Sequence, residues 1–174
     1  MNLRRFAILA MAALALFGCG IQRFNIRDTP TIPDGSGVII ARVILNEKNA
    51  PANHPYVQVT AMKQSKLMVV SLMVALLPGE NFSVMTLPAG KYSWVGIYSD
   101  SKHSEFRGQL PFEVKPGKIN YIGDLVISMD WSNASHYGLR VGANQDRAEK
   151  YMKVVYPELT SHYPMVASLT VDQR

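Results

Sequence analysis

The residue whose side chain is most clearly placed to react is Cys19, the only cysteine of the 174-residue chain. It follows a basic start, 1–5, an apolar run, 6–17, and the small residue Gly18. That order is typical of a secretory signal. As a helix, the twelve residues of the run would reach about 18 Å, well short of the roughly 30 Å hydrocarbon core of a bilayer. We therefore expect residues 1–18 to be a cleaved signal peptide and not a membrane span.

The sequence Leu16-Phe17-Gly18-Cys19 resembles the lipobox of bacterial lipoproteins. The resemblance implies a thioether-linked diacylglycerol on Cys19, cleavage after Gly18 and acylation of the new N-terminus. Phe17 is bulkier than the small residue usual at its position. Gly20, where an aspartate could stand, implies by the same resemblance an outer-membrane destination. Several acyl chains anchor a protein stably, because each buried methylene contributes about 0.8 kcal/mol. The alternative is an unmodified Cys19 buried at the end of the signal.

A second group of residues that could do chemistry lies in the polar stretch 99–105, which contains Asp100, Lys102, His103 and three serines. A serine hydrolase needs a base that is oriented by an acid within a pocket, and closeness in sequence does not supply that geometry. We expect a hairpin loop that contacts a partner, because loops commonly carry binding residues. The rival hypothesis is a small envelope hydrolase or ligand carrier that uses Asp100, His103 or Asp124.

Asp124 interrupts the apolar segment 119–128 directly after Gly123. A glycine inside a strand often marks a β-bulge, so a bulge is predicted here. Asp124 would then point outward or accept backbone N–H bonds. A place in a binding groove is the alternative.

Histidines and tryptophans offer weaker signals. The four histidines, His54, His103, His136 and His162, have no metal-ligand spacing, so we expect solvated loop residues and no metal. Trp94 and Trp131 are expected in the core and at its rim, with sugar stacking as the alternative. No catalytic residue and no cofactor is predicted.

The charge balance gives no support for nucleic acid as a partner. The formal charge is +5, and it falls to +3 when residues 1–18 leave with Arg4 and Arg5. So weak an excess does not indicate a phosphate-binding surface. The remaining 156 residues suffice for one domain, and a single cysteine allows no intramolecular disulfide.

The residues after Cys19 predict a flexible tether followed by one β-rich domain. Residues 19–36 mix polar residues with prolines and glycines and lack a sustained period, as a tether does. The domain, 37–174, should consist of short strands separated by turn residues. We predict strands at 37–45, 56–62, 67–77, 81–87, 91–99, 105–114, 119–128, 135–144 and 165–171, with 67–77 in a central position. An apolar stripe with suitable capping residues predicts one helix at 144–156, ended by Pro157 and packed on the sheets.

Proline-glycine turns before two strands indicate how the sandwich is closed. Tyr121 follows Pro116-Gly117, as in the tyrosine corner of immunoglobulin-like sandwiches, in which the hydroxyl bonds the backbone of the preceding corner. Tyr92, after Gly90, is a weaker second case. The fold class predicted is mainly β, an antiparallel immunoglobulin-like β-sandwich with one C-terminal α-helix and a final short strand.

Residues 84–128 resemble small bacterial lipoproteins with an immunoglobulin-like or carboxypeptidase-regulatory-like sandwich. The resemblance is carried by Pro-Ala-Gly-Lys-Tyr at 88–92, Lys-Pro-Gly at 115–117 and Tyr-Ile-Gly-Asp at 121–124. It implies a fold and a cell address but no catalytic residues. We therefore expect a non-enzymatic lipoprotein at the periplasmic face of the outer membrane, which serves as an envelope interaction or accessory module and binds an envelope protein. A subunit of a larger envelope assembly is a further possibility.

Overall fold

The computed structural model describes residues 31–51, 57–64, 71–99, 102–133 and 137–173. These residues form a mainly β protein, as predicted. The strands are β1 (Ser36–Lys48), β2 (Val57–Lys63), β3 (Ser71–Leu76), β4 (Gly79–Pro88), β5 (Gly90–Ser99), β6 (Lys102–Val114), β7 (Ile119–Asp130), β8 (Tyr137–Gly142) and β9 (Met165–Ala167). A 3-10 turn spans Trp131–Asn133, and the helices are α1 (Gln145–Val155) and α2 (Pro157–His162).

The strands are arranged in two sheets. Sheet A has the order β4-β1-β7-β8, with β9 also paired to β7, and sheet B has the order β3-β2-β5-β6. Sheet B is antiparallel throughout, but in sheet A β7 runs parallel to both β1 and β9. The expectation of an all-antiparallel sandwich is therefore wrong for sheet A. Parallel neighbours need a long connection, and five strands lie between β1 and β7 in the chain.

Strand β1 shows how one sheet faces two cores. Ile39, Ala41 and Val43 point toward sheet B and join the core between the sheets. The alternate residues Val38 and Ile40 point the other way, into a second core beneath the helices. Successive strand residues face opposite sides, so a nearly continuous apolar run fits a strand that is covered on both faces. The domain consequently has three layers: sheet B, sheet A and the helices.

The helical layer differs in part from the prediction. Helix α1 begins after Asn144, whose side-chain oxygen accepts the Arg147 N–H, and it buries Ala148 and Met152. This confirms a helix that packs on the sheets. The prediction of a single helix ended by Pro157 is wrong, because Pro157 begins α2. Proline suits a first helical position, where its missing N–H would have no intrahelical partner.

Three other features differ from expectation. Strand β3 pairs with β2 at the edge of sheet B, so the predicted central strand is an edge strand; residues 67–70 of that prediction lie outside the described residues. Among the described residues, Ile32 is already buried in the second core, although it lies in the segment 19–36 that was expected to be a tether. The predicted strand 165–171 is reduced to β9, although Ser168 and Thr170 still donate to β7 carbonyls before the chain reaches β6.

The segment 168–173 closes one side of the two-sheet body. Its first residues bond to β7, with the Thr170 N–H donating to the Ile122 carbonyl at 2.9 Å. Its last residues bond to β6, with the Val171 N–H donating to the Pro111 carbonyl at 3.0 Å. The Trp94 indole N–H donates to the Thr170 hydroxyl between the sheets. The segment thus ties sheet A to sheet B.

Candidate functional site

The bulge predicted at Gly123 is confirmed and positions the most unusual acid of the domain. Along β1 and β7 the register shifts between Ile40 and Arg42, so that Ile122 and Gly123 lie opposite Ala41. Gly123 has a φ of 97°, which L side chains rarely adopt. Because of the extra residue, Asp124 faces the helical layer, on the same side of sheet A as Tyr121.

Asp124 is held by two neighbours. Its side chain is 6% exposed, and one carboxylate oxygen accepts the Arg42 guanidinium N–H at 2.8 Å. The other oxygen accepts the Tyr121 hydroxyl at 2.6 Å. Burial of a carboxylate is costly unless it is paired and hydrogen-bonded, and here both conditions are met. Backbone N–H bonds, the expected partners, are replaced by side-chain donors.

Arg42 and Glu80 extend the pair toward the surface. The Arg42 Nε donates to Glu80 at 2.6 Å, and Arg147 of α1 donates to both Glu80 oxygens at 3.2 and 2.8 Å. Hydrogen bonds from Arg147 and then from Arg42 lower the pKa of Glu80 from 4.5 to about 2. Burial lowers the pKa of Arg42, but its bonds to Glu80 and Asp124 outweigh that effect and raise it. Glu80 therefore stays ionised over a wide pH range.

Tyr121 connects the acid to the start of α1. While its hydroxyl donates to Asp124, it accepts the backbone N–H of Asn144 at 2.6 Å. Burial and, next, the bond to Asp124 raise the pKa of Tyr121 above its ordinary value. Asn144 is also the residue that caps α1. We call the set Arg42, Glu80, Tyr121, Asp124, Asn144 and Arg147 the clamp.

The clamp joins β1, β4, β7 and α1. Every carboxylate oxygen of Asp124 and Glu80 accepts at least one bond from another member. A general acid or base must exchange a proton with a substrate, and carboxylates occupied in this way are suited to hold elements together. The chemistry that this arrangement supports is electrostatic fixation of the helical layer on sheet A.

Tyr121 does not make the bond predicted for a tyrosine corner, because its hydroxyl bonds Asp124 and Asn144. Tyr92, the weaker candidate, makes a bond of that kind: its hydroxyl donates to the Pro88 carbonyl, four residues earlier, at 2.8 Å. Burial raises the pKa of Tyr92 to about 12. The prediction for the two tryptophans is confirmed, with Trp94 in the core and Trp131 packed at its rim.

Of the predicted partner-contact loop, Asp100 lies outside the described residues and Lys102 is the first residue of β6. His103 is exposed and its ring stacks on Tyr98, with 4.1 Å between the ring centroids. His103 belongs to sheet B, whereas Asp124 lies on the helix-facing side of sheet A. The structure therefore does not bring these two predicted residues into one site.

The remaining predicted positions give no further site. His162 bonds the Glu158 carbonyl within α2, while His54 and His136 lie outside the described residues. Across the described ranges, no group of three or more His, Cys, Asp or Glu side chains could hold a metal ion. Cys19 and the signal segment also lie outside the described residues. Within the same described part, no helix has the length and apolar character needed to cross a membrane.

Comparisons with known proteins assign no family. No family model and no curated protein matches the chain. Among solved structures, one match is a leucine-rich repeat protein from Bacteroides thetaiotaomicron, at 17% identity and a TM-score of 0.36. The match covers 70% of this chain and 16% of that one. At that score the likeness supports no statement about fold or function.

The clamp was only partly visible in the sequence. Asp124 interrupts the apolar segment 119–128, and Arg42 interrupts the apolar segment 37–45 in the same way. An acid and a base that each interrupt a buried strand are a signal for pairing, because buried charges need partners. Glu80 and Arg147 carried no such signal, since both stand in polar surroundings in the sequence.

Proposed function

We propose that the chain is a lipid-anchored envelope protein, with its domain acting as a non-enzymatic interaction or accessory module at the periplasmic face of the outer membrane. The observation that carries the proposal is the sequence Leu16-Phe17-Gly18-Cys19 at the end of a basic and then apolar leader. Gly20 supports the outer membrane as the destination. We include in this proposal the assignment of the two-sheet body to the immunoglobulin-like sandwiches, supported by the Tyr92 corner.

The geometry of the domain favours binding over catalysis. The acid that a hydrolase could use, Asp124, is buried and saturated by Arg42 and Tyr121. His103, which the rival hypothesis names together with Asp124, lies on the other sheet. The β5–β6 hairpin, with exposed His103, lies at the end of the domain away from Ser36, where β1 begins. An envelope protein that docks on this hairpin is the partner we propose.

The anchor is tested by replacing the cysteine in the full chain. Cys19→Ser is expected to abolish labelling by a radioactive fatty acid and to move the protein from the membrane to the soluble fraction. Gly20→Ser is the matched control, which changes a neighbour and keeps the thiol. A Cys19→Ser protein that still carries label would contradict the proposal.

The partner is sought by crosslinking from the hairpin. A photo-crosslinking amino acid is placed at His103 in intact cells, with the same substitution at Lys150, an exposed residue of α1, as a comparison position. We expect a discrete crosslinked envelope protein that depends on the His103 position and on Cys19. Identical products from both positions would contradict docking on the hairpin. Turnover of an ester or peptide substrate by the wild-type protein would favour the rival hypothesis.

A further inference from the structure

Four lysines lie at the end of the domain where the N-terminal segment enters. We call this end the entry pole. It is assembled by strand ends: the Gln64 N–H donates to the Lys91 carbonyl at 2.8 Å, and the Gly117 N–H donates to the Ser36 carbonyl at 2.8 Å. Strand pairing also places the end of β6 beside the start of β5. The lysines of the entry pole are Lys63, Lys91, Lys115 and Lys118.

Two of the four lysines of the entry pole are exposed to solvent, and two are half-buried. Lys91 and Lys115 are exposed, and Lys63 and Lys118 are half-buried. The Lys63 ammonium donates to the Ala89 carbonyl at 3.0 Å and lies 5.8 Å from the centre of the Tyr92 ring. It is thereby fixed at the end of the sandwich. The strand ends and turns of the pole also carry two acids, Asp34 and Glu113, so the described charges there sum to +2.

The strand ends at the opposite end of the domain carry no such excess. Glu47, Lys48 and Asp130 end strands β1 and β7 there, Lys102 begins β6 there, and Lys48 lies 3.8 Å from Asp130. The formal charges of these four residues sum to zero. The excess of positive charge at the strand ends therefore lies on the side from which the N-terminal segment enters.

The anchor would keep this positive end near a bilayer. Cys19 and Ile32, the first buried residue among those that the structure describes, are thirteen positions apart, a stretch that spans at most about 45 Å. Attraction between charges decays over about 10 Å at 0.1 M salt, so a lysine must approach the headgroups closely to be attracted. A short tether supplies that closeness by raising the effective concentration of the pole at the surface.

Resting on the proposed lipid anchor, we propose that the entry pole docks onto anionic phospholipid headgroups of the bilayer that holds Cys19. Each lysine close to such a surface strengthens binding about fivefold. Docking fixes the long axis of the strands relative to the membrane and turns the β5–β6 hairpin, with His103, away from it. The lipid surface thus orients the hairpin for its protein partner.

The test uses the acylated full chain inserted into preformed vesicles. One set contains phosphatidylcholine alone and the other an equal mixture with phosphatidylglycerol. A membrane-impermeant amine reagent is applied, and modification of each lysine is measured by peptide mass spectrometry. We expect modification of Lys91 and Lys115 to fall at least about fivefold in the anionic vesicles, with Lys48 unchanged, and 1 M salt to remove the difference.

Two outcomes separate the docking from the anchor. If the protein floats with both vesicle types and Lys91 and Lys115 are modified equally in both, the docking is wrong and the anchor stands. If it floats with neither, the anchor fails and the docking with it. In the wild type, Lys118 should likewise be modified less in the anionic vesicles. The variant Lys91→Gln/Lys115→Gln, which changes exposed side chains and neutralises the pole, is expected to lose this protection of Lys118. Lys48→Gln is its matched control and should retain that protection.

Discussion

At the scale of single residues, the clamp explains how this domain tolerates charge beneath its helices. Asp124 and Arg42 are largely buried on neighbouring strands and satisfy each other. A buried pair of this kind adds little net stability relative to well-packed apolar residues. Removal of one partner is costly, however, because the other charge stays largely buried and loses one of its two partners. The clamp therefore favours one arrangement of α1 on sheet A.

The first prediction concerns Asp124 itself. Asp124→Ala is expected to destabilise the domain by about 3–5 kcal/mol, because Arg42 and the Tyr121 hydroxyl both lose a buried partner. Urea unfolding at neutral pH measures the loss. Asp130→Ala, which removes an acid from an exposed pair with Lys48, is the matched control and should cost much less. In a double-mutant cycle, adding Arg42→Ala should cost less than it does alone; additive losses would contradict the pairing.

A second prediction follows from the pKa of Glu80. The folded-state pKa of about 2 lies below the ordinary 4.5, so ionised Glu80 stabilises the fold above about pH 4.5. That contribution is lost as the pH falls from about 4.5 to about 2. The difference in unfolding free energy between the wild type and Glu80→Gln should shrink over this window. Arg147→Gln removes the partner with the larger effect on Glu80. It should raise the pKa of Glu80 and narrow the pH range over which the contribution of Glu80 to stability is lost. A difference that is independent of pH would contradict the assignment.

How far the site could be predicted depended on which residues carried a signal. Asp124 carried a signal because a charge within an apolar strand needs a partner. Gly123 carried another, because a glycine within a strand often marks a bulge. The partners of Tyr121 could not be inferred, because Asn144 is twenty-three residues further along and meets it only through the packing of α1. Tyr92 formed the corner because its bond is local to one turn.

At the scale of the elements, the bulge in β7 decides which way the second half of the strand faces. If residues 121–125 alternated regularly, with no bulge, Asp124 would face the core between the sheets and Leu125 would face the helices. Gly123 makes the extra residue possible through its positive φ. A Cβ at this position would also lie 3.1 Å from the Gly142 carbonyl of β8.

Gly123→Ala is therefore expected to destabilise the domain by about 1–3 kcal/mol. Gly138→Ala in β8 is the matched control, because a Cβ there meets only the Ser128 side chain at an ordinary 3.7 Å. Thermal unfolding of both variants measures the difference. Equal midpoints for the two variants would show that β7 does not need a glycine at its bulge.

The packing of α1 gives a prediction for the helical layer. Met152 is fully buried against sheet A, whereas Val154 on the opposite face is 74% exposed. Met152→Ala should cost about 2–5 kcal/mol through lost burial and a cavity. Val154→Ala should change the unfolding free energy by less than about 0.5 kcal/mol. If both changes prove equally mild, α1 does not pack on the sheet as described.

The elements themselves were largely predictable, and their pairing was not. Alternating residues and proline-glycine turns marked strands such as β5 and β7. Local pattern could not reveal that β1 runs parallel to β7, because that contact joins distant segments. It also could not place β3 at an edge, since an apolar run reads alike in central and edge strands. The sequence alone does not show whether Pro157 ends one helix or begins the next, because proline is compatible with both positions.

At the scale of the whole molecule, the proposed features lie along one axis. In the proposed arrangement, the lipid on Cys19 would hold the chain at a bilayer, the lysines of the entry pole would face the headgroups, and the hairpin with His103 would lie at the far end. The clamp and the segment 168–173 hold the three layers together. The domain would then be a rigid spacer that presents its far end to a partner.

The most direct test of the account is the mass of the N-terminal peptide of the protein isolated from its own membranes. We predict a chain that begins at Cys19, with a diacylglycerol on the sulfur and a third acyl chain on the amine. A native polypeptide that retains its first eighteen residues, or one with a free thiol at Cys19, would contradict the central claim.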